Sequence, residues 1–281
     1  GLEREQRERL KGRREEGEVR GKPFHAEWVA LIGLVGVKFM GLDCPGESHE
    51  ISSLSETRAL KHSANRQQLV RYNAKQLTRV YPAPTRVASS NLDPVPLWAA
   101  GCHLVAFNFQ TTDTAMQLNR GKFLHNGSLG YVLKPPYMRD PSKGAPPSRS
   151  LSLSVTVLSC RRLPQIDPSD ILDPHVVVAV HGVGEDAKSY QTKTVMNNGF
   201  NPCWRNGRGE SFSFDIANPD AALLRISVAD ETWGGGADLL GSYCVPVSSI
   251  RPGYRTNPLW DSEGRTLPHA GVLCCYSKSW K

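Results

Sequence analysis

The sequence predicts an α/β segment followed by an antiparallel β-sandwich of about 130 residues. Three observations carry that reading. Apolar runs in the first half are nearly continuous and lie 20 or more residues apart, as in parallel strands covered on both faces. From Leu151 the pattern changes to short alternating strands such as LSLSVTVL, with turn residues between them. Between the two styles, residues 139–150 (RDPSKGAPPSRS) are rich in Pro, Ser and Gly and read as a linker.

Taken in order, residues 1–23 predict a charged tail. Within 1–22 the charges alternate, and Leu2, Leu10 and Val19 are the only aliphatic residues larger than alanine. A first domain is expected over 24–138, with folding from about Phe24. Its predicted strands are VALIGLVGV (29–37), LTRVYP (77–82), CHLVAFNF (102–109) and LGYVLKP (129–135). The stretch SETRALKHSANRQQLVRYNAKQ predicts helix or loop. The second domain is expected over 151–281, with strands at HVVVAVHGV, ESFSFDI, ALLRISVAD and GSYCVPVSSI.

Composition excludes several classes. The longest apolar run has nine residues, far short of the ~20 that span a bilayer. The charged N-terminus lacks a secretory core, and seven scattered cysteines without a CxxC pair suggest reduced thiols in the cytoplasm. Net charge is +7, and residues 1–150 hold 22 Lys/Arg against 14 Asp/Glu, whereas 151–281 hold 12 against 13. The basic excess therefore sits in the first half and suits an anionic membrane. No helix-turn-helix, zinc-finger or aromatic RNA-binding signature is present, so nucleic acid is not expected.

The stretch ADETWGGGAD (229–238) sets three carboxylates, Asp230, Glu231 and Asp238, around three glycines. Carboxylates would repel a phosphate, whereas hard oxygen donors suit calcium. A polar turn without a ligand is the competing reading. Asp173 directly precedes a predicted strand, Asp230 follows one and Asp238 closes the same loop, so sandwich loops could gather them. Lys134 is expected at a strand end in a structural role, His103 and Trp98 in the core, and His175 and His181 away from any carboxylate pair. Asn126-Gly127 reads as a turn.

Two resemblances sharpen this. Residues 151–281 resemble a C2 domain, including NNGFNPCW (197–204), in which Pro202 and Trp204 read as structural. Across about 50–140, ISSLSETRAL, VRYNAKQLTRVYP, SSNLDPVPLWAAGCHLVAFNFQT and NGSLGYVLKP followed by Arg139-Asp140 resemble the Y region of eukaryotic phosphoinositide-specific phospholipase C, delta class. The resemblance implies the second half of a (β/α)8 TIM-type barrel, with substrate contacts at the C-terminal ends of its strands. It implies that Ser53 and Arg79 meet a ring phosphate and that Tyr81 packs on the inositol. It further implies a C2 calcium site of the Ile171 carbonyl, Asp173, Asn197, Asp230 and Asp238. Thr232 stands where delta-type relatives carry a middle carboxylate, so weak Ca2+ binding is expected, and Trp233 could meet the membrane interface. Thr85 replaces a large apolar residue in the turn after TRVYP, which argues against insertion of that turn into a bilayer.

For activity, the resemblance implies calcium-dependent hydrolysis of phosphatidylinositol 4,5-bisphosphate to diacylglycerol and inositol trisphosphate. The family's catalytic histidines and catalytic calcium ligands lie in an X region that precedes Y. None precedes residue 1 here, so the expectation is a chain inactive alone, partnered by an X half and docked peripherally on phosphoinositide-containing membranes. A non-catalytic calcium- and phospholipid-binding scaffold is the rival expectation.

Overall fold

The computed structural model describes residues 31, 33–140, 142, 149–165, 170–232 and 235–281. The tail 1–22, the expected start at Phe24, most of the linker and Trp233 lie outside these residues.

In the first half, alternating side chains make one buried sheet face. Strands β1 (Val35–Val37), β2 (Glu50–Ser55), β3 (Leu77–Tyr81) and β4 (Leu104–Val105) form a sheet in the order β1-β2-β3-β4. The β2–β3 and β3–β4 pairs are parallel. Two helices, α1 (Glu56–Ser63) and α2 (Arg66–Asn73), connect β2 to β3. The short α3 (Val95–Ala99) precedes β4, α4 (Thr114–Phe123) follows it, and α5 (Pro136–Arg139) comes last. Leu54 of β2 and Val80 of β3 pack with Ala59, Leu69, Tyr72 and Leu97 in one buried cluster. The Asp113 side chain caps α4, accepting from the Met116 amide at 3.0 Å. Parallel strands with intervening helices on one face are the layout of half a (β/α)8 barrel.

Three predicted strands are shorter or absent. Residues 102–109 are strand only at Leu104–Val105, and within 29–37 the described strand is Val35–Val37. Residues 129–135 form no strand. Among the described residues no strand lies beyond β4 to receive their backbone hydrogen bonds, and a strand exists only through such pairing.

The second half is a C2-type sandwich. Its strands are β5 (Leu151–Arg161), β6 (Pro174–His181), β7 (Lys188–Gln191), β8 (Glu210–Ile216), β9 (Leu223–Thr232), β10 (Gly236–Pro246), β11 (Gly253–Trp260) and β12 (Thr266–Trp280). They run in the order β7-β6-β9-β10-β11-β12-β5-β8, with every registered pair antiparallel. The β10–β11 link is the single pair Ser242–Trp260, so the ladder divides there into two four-stranded layers. Val176, Val178 and Val180 of β6 and Leu224, Ile226 and Val228 of β9 share a core with Leu151, Leu153, Val155 and Val157 of β5. Trp204 is fully buried and donates Nε1–H to the Lys193 carbonyl at 2.6 Å, which gives it a structural role. Strands β7, β11 and β12 were not anticipated. Polar KSYQ at the sheet edge and small or polar residues in β12 weaken the apolar alternation.

The two halves pack on each other within a single compact unit, Gly36–Lys281. Helix α4 lies against β10 with Gly121 at the crossing, where an added Cβ would come within 2.6 Å of the Cys244 Cβ and carbonyl oxygen. Val95, Trp98, Leu118, Leu223 and Cys244 form the apolar cluster beside it. Trp98, expected in the barrel core, therefore packs at the junction with the sandwich. Hydrogen bonds flank it: Arg225 Nε to Gln117 Oε1 at 2.7 Å, Arg120 to the Glu263 carbonyl at 3.1 Å, Tyr137 to Asn218 at 3.3 Å, and His125 with Ser249. Gly121→Ala is expected to destabilise the chain by about 1–3 kcal/mol through overpacking. A denaturation midpoint unchanged from wild type would show that the junction is looser than this geometry.

Candidate functional site

Ser53 and Arg79 are direct register partners across β2 and β3, as are Ser55 and Tyr81. Paired strands lie about 4.8 Å apart, so the hydroxyl and the guanidinium start from adjacent backbone positions. Because side chains alternate, burial of Ser52, Leu54, Thr78 and Val80 against the helices turns Ser53, Arg79 and Tyr81 to the opposite, exposed face. Leu104, the partner of Arg79 on β4, is exposed with them. The structure thus gathers the three expected head-group residues on one open face toward the C-terminal ends of parallel strands.

The loop after Tyr81 is tied down by a pair that sequence reasoning missed. Arg86 grips the Glu56 carboxylate through Nε at 2.7 Å and Nη2 at 2.5 Å, and the Ala83 amide donates to the same carboxylate at 3.0 Å. Glu56 heads α1 and Arg86 lies 30 residues later, so neither residue's neighbours announce the pair. The Arg86 hydrogen bond holds the Glu56 carboxyl below its ordinary value of 4.5. A depressed carboxyl contributes stability above that value and loses it as the pH falls through the folded-state pKa. A second missed network centres on Asn91. Its amide donates to Asp113 at 2.8 Å, and its Oδ1 accepts from the Asn108 amide at 2.7 Å.

At the far end of the sandwich, ADETWGGGAD is a hairpin more than a loop. The β9–β10 ladder continues through Glu231–Ala237 to Thr232–Gly236, and Asp230 lies directly opposite Asp238. Asp230 and Asp238 are therefore strand residues, correcting the expectation that they sit outside the strands. The ladder persists because antiparallel pairing satisfies the backbone up to the glycines. The Asp173 amide donates to Asp230 Oδ1 at 2.6 Å, and the Asn197 amide donates to Asp173 Oδ1 at 2.6 Å. Asn197 has φ of 52°, a left-handed conformation asparagine tolerates. Ile171 is exposed in the segment before β6. Glu231 turns aside to accept from the Thr194 hydroxyl. His175 is closer to acid than expected, pairing in register with Ala229 and sensing Glu231 and Asp230, although burial lowers its pKa overall.

Burial raises the Asp230 pKa, and the carboxylates of Asp170, Asp173 and Asp238 raise it further. That repulsion and the all-oxygen donor set fit a hard cation. Assembly is incomplete, however: among the described residues no group of three or more His, Cys, Asp or Glu side chains is placed to hold a metal ion. Asp173 and Asp230 each already accept a backbone amide. The residues supply oxygen donors of the kind a hard cation takes, without an assembled metal site among the described residues.

Lys134 does not end a strand. It reaches across to donate to the Asn73 carbonyl at 2.8 Å, and its Nζ lies 2.8 Å from His103 Nε2. Among the described residues no helix is long and apolar enough to cross a membrane.

Comparison with known proteins fits this layout. The family described as phosphatidylinositol-specific phospholipase C, Y domain, matches residues 30–137, and the C2 domain family matches residues 151–262. The 1-phosphatidylinositol 4,5-bisphosphate phosphodiesterase delta-3 of Mus musculus is 41% identical over 239 residues, covering 82% of this chain and 30% of the relative. The delta-1 enzyme of Homo sapiens is 38% identical over 261 residues, covering 86% of this chain and 34% of the relative. The crystal structure of L. pealei PLC21 superimposes with a TM-score of 0.81 at 32% identity, over 100% of this chain and 37% of that one. The chain spans about a third of the length of these proteins.

Asp230→Asn keeps an oxygen for the Asp173 amide and removes the like-charge contact with Asp238. Because the folded-state pKa is raised, the wild-type carboxylate costs stability once the pH rises above the ordinary value of 3.8. At pH 7 in chelator the variant is expected to be more stable by about 0.2–1 kcal/mol, the range for a cross-strand pair. A lower urea midpoint than wild type would contradict the repulsion.

Proposed function

This chain belongs to the phosphoinositide-specific phospholipase C family, and we propose that it supplies the head-group-binding half of the barrel and the C2 domain of an enzyme that hydrolyses phosphatidylinositol 4,5-bisphosphate. The observation that carries the reading is the side-by-side placement of Ser53, Arg79 and Tyr81 on the open face of a parallel sheet. Arg79 offers a planar fork of donors matched to a phosphate, which a lysine cannot reproduce. Ser53, on the neighbouring strand, donates a hydroxyl to the same region, and Tyr81 presents a ring to the apolar edge of the inositol. The Glu56–Arg86 clamp keeps the loop after Tyr81 in place while the head group enters.

In this proposal residues 24–138 are the Y half, 139–150 the linker and 151–281 the C2 domain. Proton transfer and the catalytic calcium belong to an X-type half that completes the barrel over the exposed face. This chain by itself binds and orients substrate without turning it over. The C2 residues that would hold calcium are Asp173, Asp230 and Asp238 with Asn197 and the Ile171 carbonyl. The bound ion would supply positive charge toward anionic lipid. The basic surplus of residues 1–150 favours the same cytoplasmic membrane face.

Co-expression of this chain with the X half of a delta relative is expected to hydrolyse phosphatidylinositol 4,5-bisphosphate vesicles, whereas the chain alone does not. Arg79→Lys in the reconstituted pair is expected to lower kcat/KM by about 10–100-fold, the range for a charged hydrogen bond. Turnover by the chain alone, or an unaffected Arg79→Lys pair, would remove the assignment. Calcium-dependent sedimentation with phosphatidylserine vesicles is expected to need Asp230, and calorimetry without lipid should show only weak binding. Tight binding of several ions in the absence of lipid would contradict that.

A further inference from the structure

Lys134 lines a cleft of about 820 Å³ together with Arg79, His103, Leu104, Lys122 and Tyr131. The hydrogen bonds around its amine match the donors and lone pair of a neutral amine. The Thr78 amide donates to His103 Nδ1 at 3.3 Å, so that nitrogen is an acceptor. A neutral imidazole then carries its proton on Nε2. This N–H meets Lys134 Nζ at 2.8 Å, and two donors cannot share that contact. In its neutral form, which prevails above about pH 8, Nζ turns its lone pair to the ring. Its two remaining N–H bonds face the Asn73 carbonyl at 2.8 Å and the Gly101 carbonyl at 3.4 Å. A neutral amine has two N–H bonds and one lone pair, and all three are matched. An ammonium would aim its third proton at the imidazole N–H, and an imidazolium would aim one at the Thr78 amide.

The surrounding charges agree. Burial pushes Lys134 down to about 8, and burial together with Lys134 pushes His103 down to about 4. Adjacent Cys102 is a buried thiol pushed up to about 12, so it supplies no anion. Of the other titratable groups lining the cleft, Arg79 and His125 are basic, burial pushes Lys122 down to about 8 as well, and Tyr131 and Asp220 are exposed.

We propose that Lys134 is a nucleophilic lysine that captures aldehydes bearing an anionic group as an imine, in a cleft that shares Arg79 with the proposed head-group face. The Nζ lone pair attacks the carbonyl carbon and the C=O π pair moves to oxygen. One N–H proton passes to that oxygen, giving a carbinolamine. Loss of the hydroxyl together with the second N–H proton yields C=N and one water, with no change of oxidation state. As the lone pair leaves the ring, His103 Nε2–H is free to hydrogen-bond the carbonyl oxygen. Arg79 supplies a cationic fork of donors for the anionic group, and Leu104 and Leu133 supply an apolar wall.

The test uses the full chain with pyridoxal 5′-phosphate, borohydride trapping and peptide mapping, alongside pyridoxal as the uncharged comparison. Lys134 is expected to label at least tenfold faster at pH 7.5 than exposed Lys75 and Lys188, with a pH midpoint near 8. Pyridoxal is expected to label it more slowly than the phosphate ester. Lys134→Arg should remove that peptide's label, while mapping on the wild-type chain needs no variant to fold. Labelling of Lys134 no faster than Lys75, or a midpoint at the ordinary lysine value, overturns the neutral amine. Equal rates for the two aldehydes overturn the anionic preference.

Discussion

The close approach of α4 to β10 at Gly121 is the constraint on which the rest of the arrangement depends. With no side chain there, the helix backbone rests directly on Cys244, and Trp98 and Leu118 close over Leu223 beside it. Dispersion and apolar burial act only at such short range, so a single extra methyl group at this point matters. Two sequence styles separated by a linker could have been two loosely tethered bodies. Instead residues 36–281 are one compact unit, which holds the sheet carrying Arg79 at a set position relative to the sandwich carrying Asp230.

Within that frame the head-group face is a matter of register. Shifting β3 by one residue against β2 would exchange Arg79 and Tyr81 for Thr78 and Val80 on the open face. Burial of Leu54 and Val80 among the helices opposes that shift, so packing on the hidden face positions chemistry on the exposed one. The Glu56–Arg86 clamp then secures the loop that follows.

The two charged sites contrast instructively. Near Asp230 burial raises a carboxyl pKa and an excess of neighbouring carboxylates raises it further. Around Lys134 burial acts on an amine and pushes its pKa down to about 8. One site gathers negative charge, and the other disfavours positive charge.

The sequence by itself determined a good deal. Alternation in LTRVYP placed Arg79 and Tyr81 on one face, the run of short strands from Leu151 announced a sandwich, and strings such as VRYNAKQLTRVYP carried the family. These are local signals, written in residues one to four apart. Other features were not legible, because they join residues distant in sequence. Lys134 and Asn73 are 61 residues apart, and Arg225 and Gln117 are 108 apart. The loss of strand character in 129–135 belongs to the same class, since an apolar run becomes a strand only beside a neighbour that receives its hydrogen bonds. Asp230 and Asp238 followed suit: their types were evident from ADETWGGGAD, but only the β9–β10 ladder set them face to face. Composition and period can name the pieces and the faces, whereas contact between pieces depends on the shape of the whole chain.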